Sequence, residues 1–216
     1  AATDALRLDD SNSEAHRVLG MIFAYRADDA PRGGASQVAP LIQQAIAHLE
    51  RVVENPAGLS DINLQYTLGR LYTRSGQADK AVQALTRVVG ENPGSVQGRM
   101  ALAQAYASAR NITGAVETLA EIVDDEPRVA STLGQYQEQL GQLKEAAESY
   151  TKALAVTPNN RELKVRRISA LIGAKDWARA AEFAELAQRR PEWEAQTPDI
   201  DAIRAAWRAC PWAARP

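Results

Sequence analysis

One small residue returns in step along this chain. Ala81, Ala115, Ala146 and Ala180 are separated by 34, 31 and 34 residues, and Pro93, Pro127, Pro158 and Pro191 by 34, 31 and 33. Two independent marks with a period near 34 are the signature of stacked helix-turn-helix units. Such a unit cannot bury its apolar stripe alone. It does so against the units before and after it, which makes the fold a linear array rather than one closed core. The stretches between the marks read as helix nearly throughout, with no strand-like run.

The same positions recur inside each unit. The second has Leu68, Gly69, Tyr72, Ala81, Leu85 and Pro93; the third has Leu102, Ala103, Tyr106, Ala115, Leu119 and Pro127. The fourth has Leu133, Gly134, Ala146, Tyr150, Ala153 and Pro158 and closes on "YTKALAVTPNN"; the first has Leu19, Gly20, Phe23, Ala45, Leu49 and Pro56. In this the chain resembles the tetratricopeptide repeat (TPR) family, whose pattern is W-x2-L-G-x2-Y, then A-x3-F, then P. The resemblance spans roughly residues 1–192. It implies an all-α, right-handed α-solenoid (superhelix) of stacked antiparallel helix pairs with a C-terminal capping helix. It also gives Gly69 a purpose, although glycine costs about 1 kcal/mol relative to alanine inside a helix. Gly69 and Ala81 are expected where the two helices of a pair cross most closely. Tighter packing of Leu68, Tyr72 and Leu85 then offsets the local cost.

The expected organisation is the end of a preceding repeat helix (1–12), repeats at 13–59, 60–95, 96–126 and 127–160, a degenerate fifth repeat (161–194), and a capping helix with tail (195–216). Helix pairs are predicted at 13–27 and 38–54, 60–75 and 78–91, 95–109 and 112–124, 127–140 and 143–156, and 161–173 and 176–190. A last helix is predicted at 198–209, with Thr197 as N-cap and Pro198 in its first turn. The first repeat carries an insertion at 26–40, "RADDAPRGGASQVAP". Its Pro, Gly and Asp content opposes helix and predicts a surface excursion, with "SQVAPLIQQ" opening the next helix early. In the fifth repeat Arg167 falls in the leucine slot unless the helix shifts by one residue, which places Ile168, Ser169 and Ile172 in register.

Charge and motifs narrow the function by elimination. The chain has 25 Lys+Arg against 27 Asp+Glu, a formal charge of −2, so it offers no general attraction to nucleic acid or to an anionic membrane. No run approaches the ~18 apolar residues of a membrane span. The opening "AATDALRLDD" is acidic and lacks the apolar centre of a secretory signal. The single cysteine, Cys210, excludes an internal disulfide and a cysteine-based metal cluster. His16 occupies the bulky slot that opens a repeat and is expected to pack, while His48 is expected to be partly exposed; neither has metal-ligand spacing. The phosphate-loop, dinucleotide-binding and nucleophile-elbow motifs are missing, and the Asp-Asp pairs fall at turns and helix ends, where acids cap helices. The sequence therefore reads as non-enzymatic and cofactor-free.

Binding is expected on the concave face, which by the resemblance is lined by the first helix of each pair. The predicted groove residues are Arg17, Met21, Tyr66, Arg70, Arg74, Met100, Gln104, Gln135, Glu138 and Arg166, with Tyr25, Ser108 and Ser131 beside them. Arg70 and Arg74, four residues apart, share a helical face and would start a positive track suited to an acidic peptide. Some relatives clamp the carboxyl tails of heat-shock chaperones with Lys and Asn. Tyr66, Arg70, Met100 and Gln104 stand in those places here, so that function does not carry over. The leading expectation is a protein-interaction scaffold for an extended peptide or partner helix, as a segment of a larger repeat protein. The alternative is a substrate-docking or regulatory region of an enzyme, such as a glycosyltransferase, with its catalytic domain elsewhere. Self-association through exposed ends or the tail bearing Trp193, Trp207 and Trp212 is a further possibility. Ala- and Arg-rich usage hints at a GC-rich bacterial genome, and the compartment stays open.

Overall fold

A computed structural model describes residues 1–30, 35–176 and 205. The described residues form helices and turns without strands. The order is α1 (Ala2–Leu8), α2 (Ser13–Asp28), α3 (Ala35–Val53), α4 (Pro56–Leu59), α5 (Ile62–Ser75), α6 (Ala78–Glu91), α7 (Val96–Ser108), α8 (Ile112–Ala120), a 3-10 turn (Pro127–Val129), α9 (Ala130–Gln139), α10 (Leu143–Val156) and α11 (Arg161–Gly173). The chain divides into two compact units, Ala1–Thr118 and Leu119–Pro216. In the first, α2 packs on α3, α5 on α6, and each pair lies against the next through α3–α5, α5–α7 and α6–α7 contacts. In the second, α10 packs on both α9 and α11. Helical hairpins stacked in this way make the fold an α-solenoid.

Periodicity shows why these segments are helices. Ile42, Ala45, Ile46, Leu49 and Val52 of α3 are all buried, a stripe at helical spacing. Helix starts are set by short polar side chains: Asn12, Asp61, Ser95 and Asn160 each accept a bond from the backbone N–H three residues on. The turns inside the hairpins share one geometry. Gly76, Arg110, Gly141 and Lys175 all have positive φ, at 79°, 60°, 73° and 59°. In each turn the next residue's N–H bonds back five residues: Gln77 to Tyr72, Asn111 to Tyr106, Gln142 to Gln137 and Asp176 to Leu171, all at 2.9 Å. This is the left-handed helix stop that glycine favours, and it recurs with the period of the alanines.

The close crossing is real, and its partner is a leucine. A Cβ added at Gly69 would sit 2.4 Å from Leu85 Cγ, and one at Gly20 2.4 Å from Leu49 Cδ2. At Gly134 the residue met is Tyr150, at 2.7 Å. The glycines thus receive the large side chain four residues after the marker alanine. Ala45, Ala81, Ala115 and Ala146 are themselves fully buried.

Two expectations change. The segment 26–40 is not an excursion along its length: α2 runs through Arg26 to Asp28, and α3 begins at Ala35 with Pro40 inside it. Pro40 removes one backbone hydrogen bond from the early part of α3, and burial of the stripe from Ile42 onward outweighs that loss. In α11, Ile168 is buried as the shifted register requires, but Ser169 is exposed and Ala170 takes the small buried position. Apart from residues 176 and 205, the expected helices at 176–190 and 198–209 lie outside the described residues, as do residues 31–34 of the insertion, Cys210 and the tryptophan tail.

Candidate partner-binding surface

In the first unit the expected groove residues fall into two sets. The arginines are engaged within the chain. Arg17 Nη2 lies 2.7 Å from Asp61 Oδ2, so the carboxylate that caps α5 also ties it to α2. Arg70 Nη2 donates to Asp28 Oδ2 at 3.2 Å, Arg74 Nη1 donates to Asp28 Oδ1, and Arg74 Nη2 donates to the Ala27 carbonyl at 3.1 Å. Arg70 also lies over the Tyr66 ring, 5.8 Å from its centroid. Tyr66 is half-buried against the core. Arg70 and Arg74 therefore share the single carboxylate of Asp28, at the C-terminal end of α2, which cancels one of the two positive charges of the anticipated track.

The second set faces solvent. Met21 and Met100 are each 42% exposed, and Tyr25 is 71% exposed. Gln104 is exposed, and its backbone carbonyl accepts the Ser108 hydroxyl at 2.9 Å. These side chains stand on α2 and α7, first helices of their pairs. In the second unit, Gln135 and Glu138 on α9 are half-buried. Arg166 on α11 bonds Glu138 Oε2 at 3.2 Å and Glu162 Oε1 at 3.0 Å. The bond to Glu162 leads the effects that raise the Arg166 pKa. Beside this pair, burial pushes the Tyr150 hydroxyl upward, and the charge of Glu138 adds to the effect.

Two clusters were not foreseen. His16 Nδ1 lies 2.8 Å from His48 Nδ1, His16 Nε2 lies 2.8 Å from the Asp10 carbonyl, and Phe23 stacks on His48 at 5.7 Å between centroids. A carbonyl only accepts, so His16 carries its proton on Nε2 and, in the neutral pair, His48 Nδ1–H donates to His16 Nδ1. Burial, then the neighbouring His16, lowers the His48 pKa. The hint was available: Gly20 packs on Leu49 and on His48 Cβ, which brings His16, one turn before Gly20, to the same crossing. The second cluster joins α3, α5 and α6: the Tyr72 hydroxyl donates to Glu50 Oε1 at 2.9 Å and Lys80 Nζ to the same oxygen at 2.7 Å. Burial alone would raise the Glu50 carboxyl, but these two bonds outweigh it and hold the pKa below the ordinary value. Burial first, and then Glu50, raises Tyr72. Among the described residues no group of three or more His, Cys, Asp or Glu side chains could hold a metal ion, and no helix is long and apolar enough to cross a membrane.

Stacked hairpins with a glycine-to-leucine crossing and solvent-facing first helices define a class of helical repeat scaffolds. Two tetratricopeptide repeat family models match the chain, over residues 72–136 and 127–160. Residues 72–160 of the chain are thus tetratricopeptide repeats, units that stack into scaffolds with extended binding surfaces. No curated protein matches its sequence. Among solved structures, one of MamA is 22% identical, aligns over 90% of this chain and 99% of its own, and gives a TM-score of 0.65. A second MamA structure is 17% identical over 83% of this chain and 96% of its own, with a TM-score of 0.63. YrrB, reported as a TPR protein with an unusual peptide-binding site, is 14% identical over 95% of this chain and 97% of its own, with a TM-score of 0.63. At these identities the likeness is one of fold.

Proposed function

We propose that the chain is a non-catalytic scaffold that takes a partner peptide or helix on the first-helix face of its first unit, through apolar anchors rather than through arginines. The observation that carries this reading is the exposure of Met21, Tyr25 and Met100 beside arginines already paired to Asp28 and Asp61. Methionine and tyrosine offer adaptable apolar contact, and the free amide of Gln104 supplies hydrogen bonds to a peptide backbone. The paired arginines hold α2 and α5 in register, and with Asp28 shared between two of them they leave one net positive charge beside the apolar anchors.

Selection of peptides from a random displayed library against the chain tests this reading. Binders should carry two apolar anchors, and Met21→Glu or Met100→Glu should weaken them about tenfold. Binders that are uniformly acidic, or that ignore both substitutions, would overturn it.

A further inference from the structure

A cavity of about 370 Å³ opens on the other side of the first unit, between α3 and α6, with α5 as its floor. Its volume falls in the lower part of the range of ligand sites, about 300–1,000 Å³. Val53, Leu68 and Ala84 form an apolar base, and Leu59 stands at its edge, 41% exposed. Gln65 Nε2 donates to the Leu59 carbonyl at 3.0 Å and fixes that edge. Glu50, Tyr72 and Lys80 also line the cavity and satisfy one another.

The remaining charges differ. Glu54 lies one turn beyond Glu50, just past the end of α3, and Arg87 lies two turns beyond Lys80 on α6. Both line the cavity, both are exposed, and neither side chain has a hydrogen-bond or ion-pair partner among the described residues. One wall thus offers an uncommitted acid and the other an uncommitted base, with an apolar recess between them. Gln83 on the same wall as Arg87 is exposed and can bond a peptide backbone. The lining carries two acids and two bases, so an isolated phosphate or a purely acidic tail gains no net attraction.

We infer that this groove is a second peptide site, which takes one aliphatic side chain carried between a basic and an acidic neighbour. The aliphatic group fills the recess over Leu68 and Ala84. The basic neighbour meets Glu54 and the acidic one meets Arg87. The site is independent of the anchors on α2 and α7, because Met21, Tyr25, Met100 and Gln104 are not among its lining residues.

Short capped tripeptides titrated into the isotope-labelled full chain test the inference by amide chemical-shift mapping. Acetyl-Lys-Leu-Glu-amide should shift the amides around residues 53–59 and 83–87, and replacing its leucine by glycine should weaken binding about tenfold. Arg87→Glu makes both walls acidic, so the preference should move to acetyl-Lys-Leu-Lys-amide. Glu54→Lys makes both walls basic and should move it to acetyl-Glu-Leu-Glu-amide. Both substitutions are at exposed positions, and an unchanged melting curve shows that the fold is kept. No shift at these amides up to about 10 mM peptide, an equal response to the glycine peptide, or an unaltered charge preference in both variants would each overturn the proposal.

Discussion

Arg74 bonds the end of α2 at two residues: one guanidinium nitrogen reaches the Asp28 carboxylate and the other the Ala27 carbonyl, 46 and 47 residues away in sequence. An acid at a helix C-terminus is opposed by the helix dipole. Arg74 and Arg70 reverse that penalty and let α2 run to Asp28. Two features that look separate in sequence, an arginine pair and an acidic insertion, are one contact in the fold.

Breaking that contact should therefore affect stability before it affects binding. Arg74→Ala should lower unfolding free energy by up to about 1 kcal/mol, the range for partly exposed ion pairs, and the loss should shrink in high salt. Asp28→Asn should cost about the same, and the two changes together should cost less than their sum. Urea denaturation of the four species measures this. Strictly additive losses would show that Arg74 and Asp28 do not interact in solution.

Gly69 against Leu85 gives a second test. Alanine gains about 1 kcal/mol of helix propensity over glycine, yet its Cβ would lie 2.4 Å from Leu85 Cγ. Overpacking costs about 1–3 kcal/mol, so Gly69→Ala should be neutral to destabilising by about 2 kcal/mol, and Gly69→Leu worse. Leu85→Ala alone should cost about 2–5 kcal/mol, but much less in the Gly69→Ala background, where the cavity is partly filled. A stabilised Gly69→Ala protein would mean that the helices separate at no cost.

The array was legible because it is written in phase: Gly69, Leu85 and Ala81 each repeat, and periodic packing has a periodic cause. What failed to show in the sequence is aperiodic. Asp28 occurs in one repeat only, so the fate of Arg70 and Arg74 could not be read from the pattern that placed them. The Pro and Gly content of 26–40 argued against helix locally, while the buried stripe of α3 argued for it across a longer span, and the longer span won. Met21 and Met100 are exposed, because side chains that point away from both hairpin partners are set by helical phase alone. Glu54 and Arg87 escaped notice because their common cavity forms only where consecutive hairpins meet.

The histidine pair predicts a pH dependence with a definite sign. The His48 pKa lies below its ordinary 6.5 in the folded chain, through burial and then His16. As pH falls, the unfolded chain takes up this proton first. The stabilising contribution is thus complete above about 6.5 and is lost as pH drops towards the folded value. Glu50, with a pKa lowered from 4.5, loses its contribution in the same direction but at more acidic pH. Urea midpoints between about pH 8 and 5 should therefore decline in the wild type and flatten in His48→Gln. An identical slope in both proteins would sink this assignment.

The hairpin turns supply the last test. Gly76 and Gly141 occupy the left-handed position in two repeats, while Arg110 and Lys175 occupy it in the two that lack glycine. The backbone bonds are the same in all four, so the arginine and lysine are held there by the array rather than by preference. A left-handed conformation costs a residue with a Cβ about 1–2 kcal/mol, and the greater freedom of glycine in the unfolded chain takes back part of that. Arg110→Gly should thus stabilise the protein by about 0.5–1 kcal/mol, since the Arg110 side chain is exposed and has no partner among the described residues. Gly76→Ala, where an added Cβ meets nothing within 4 Å, should destabilise by about 1 kcal/mol through backbone conformation alone. Paired denaturation curves read both signs at once. If Arg110→Gly destabilises while Gly76→Ala does too, the two turns differ in solution, and the third hairpin relies on a contact of Arg110 rather than on the stop that its neighbours share.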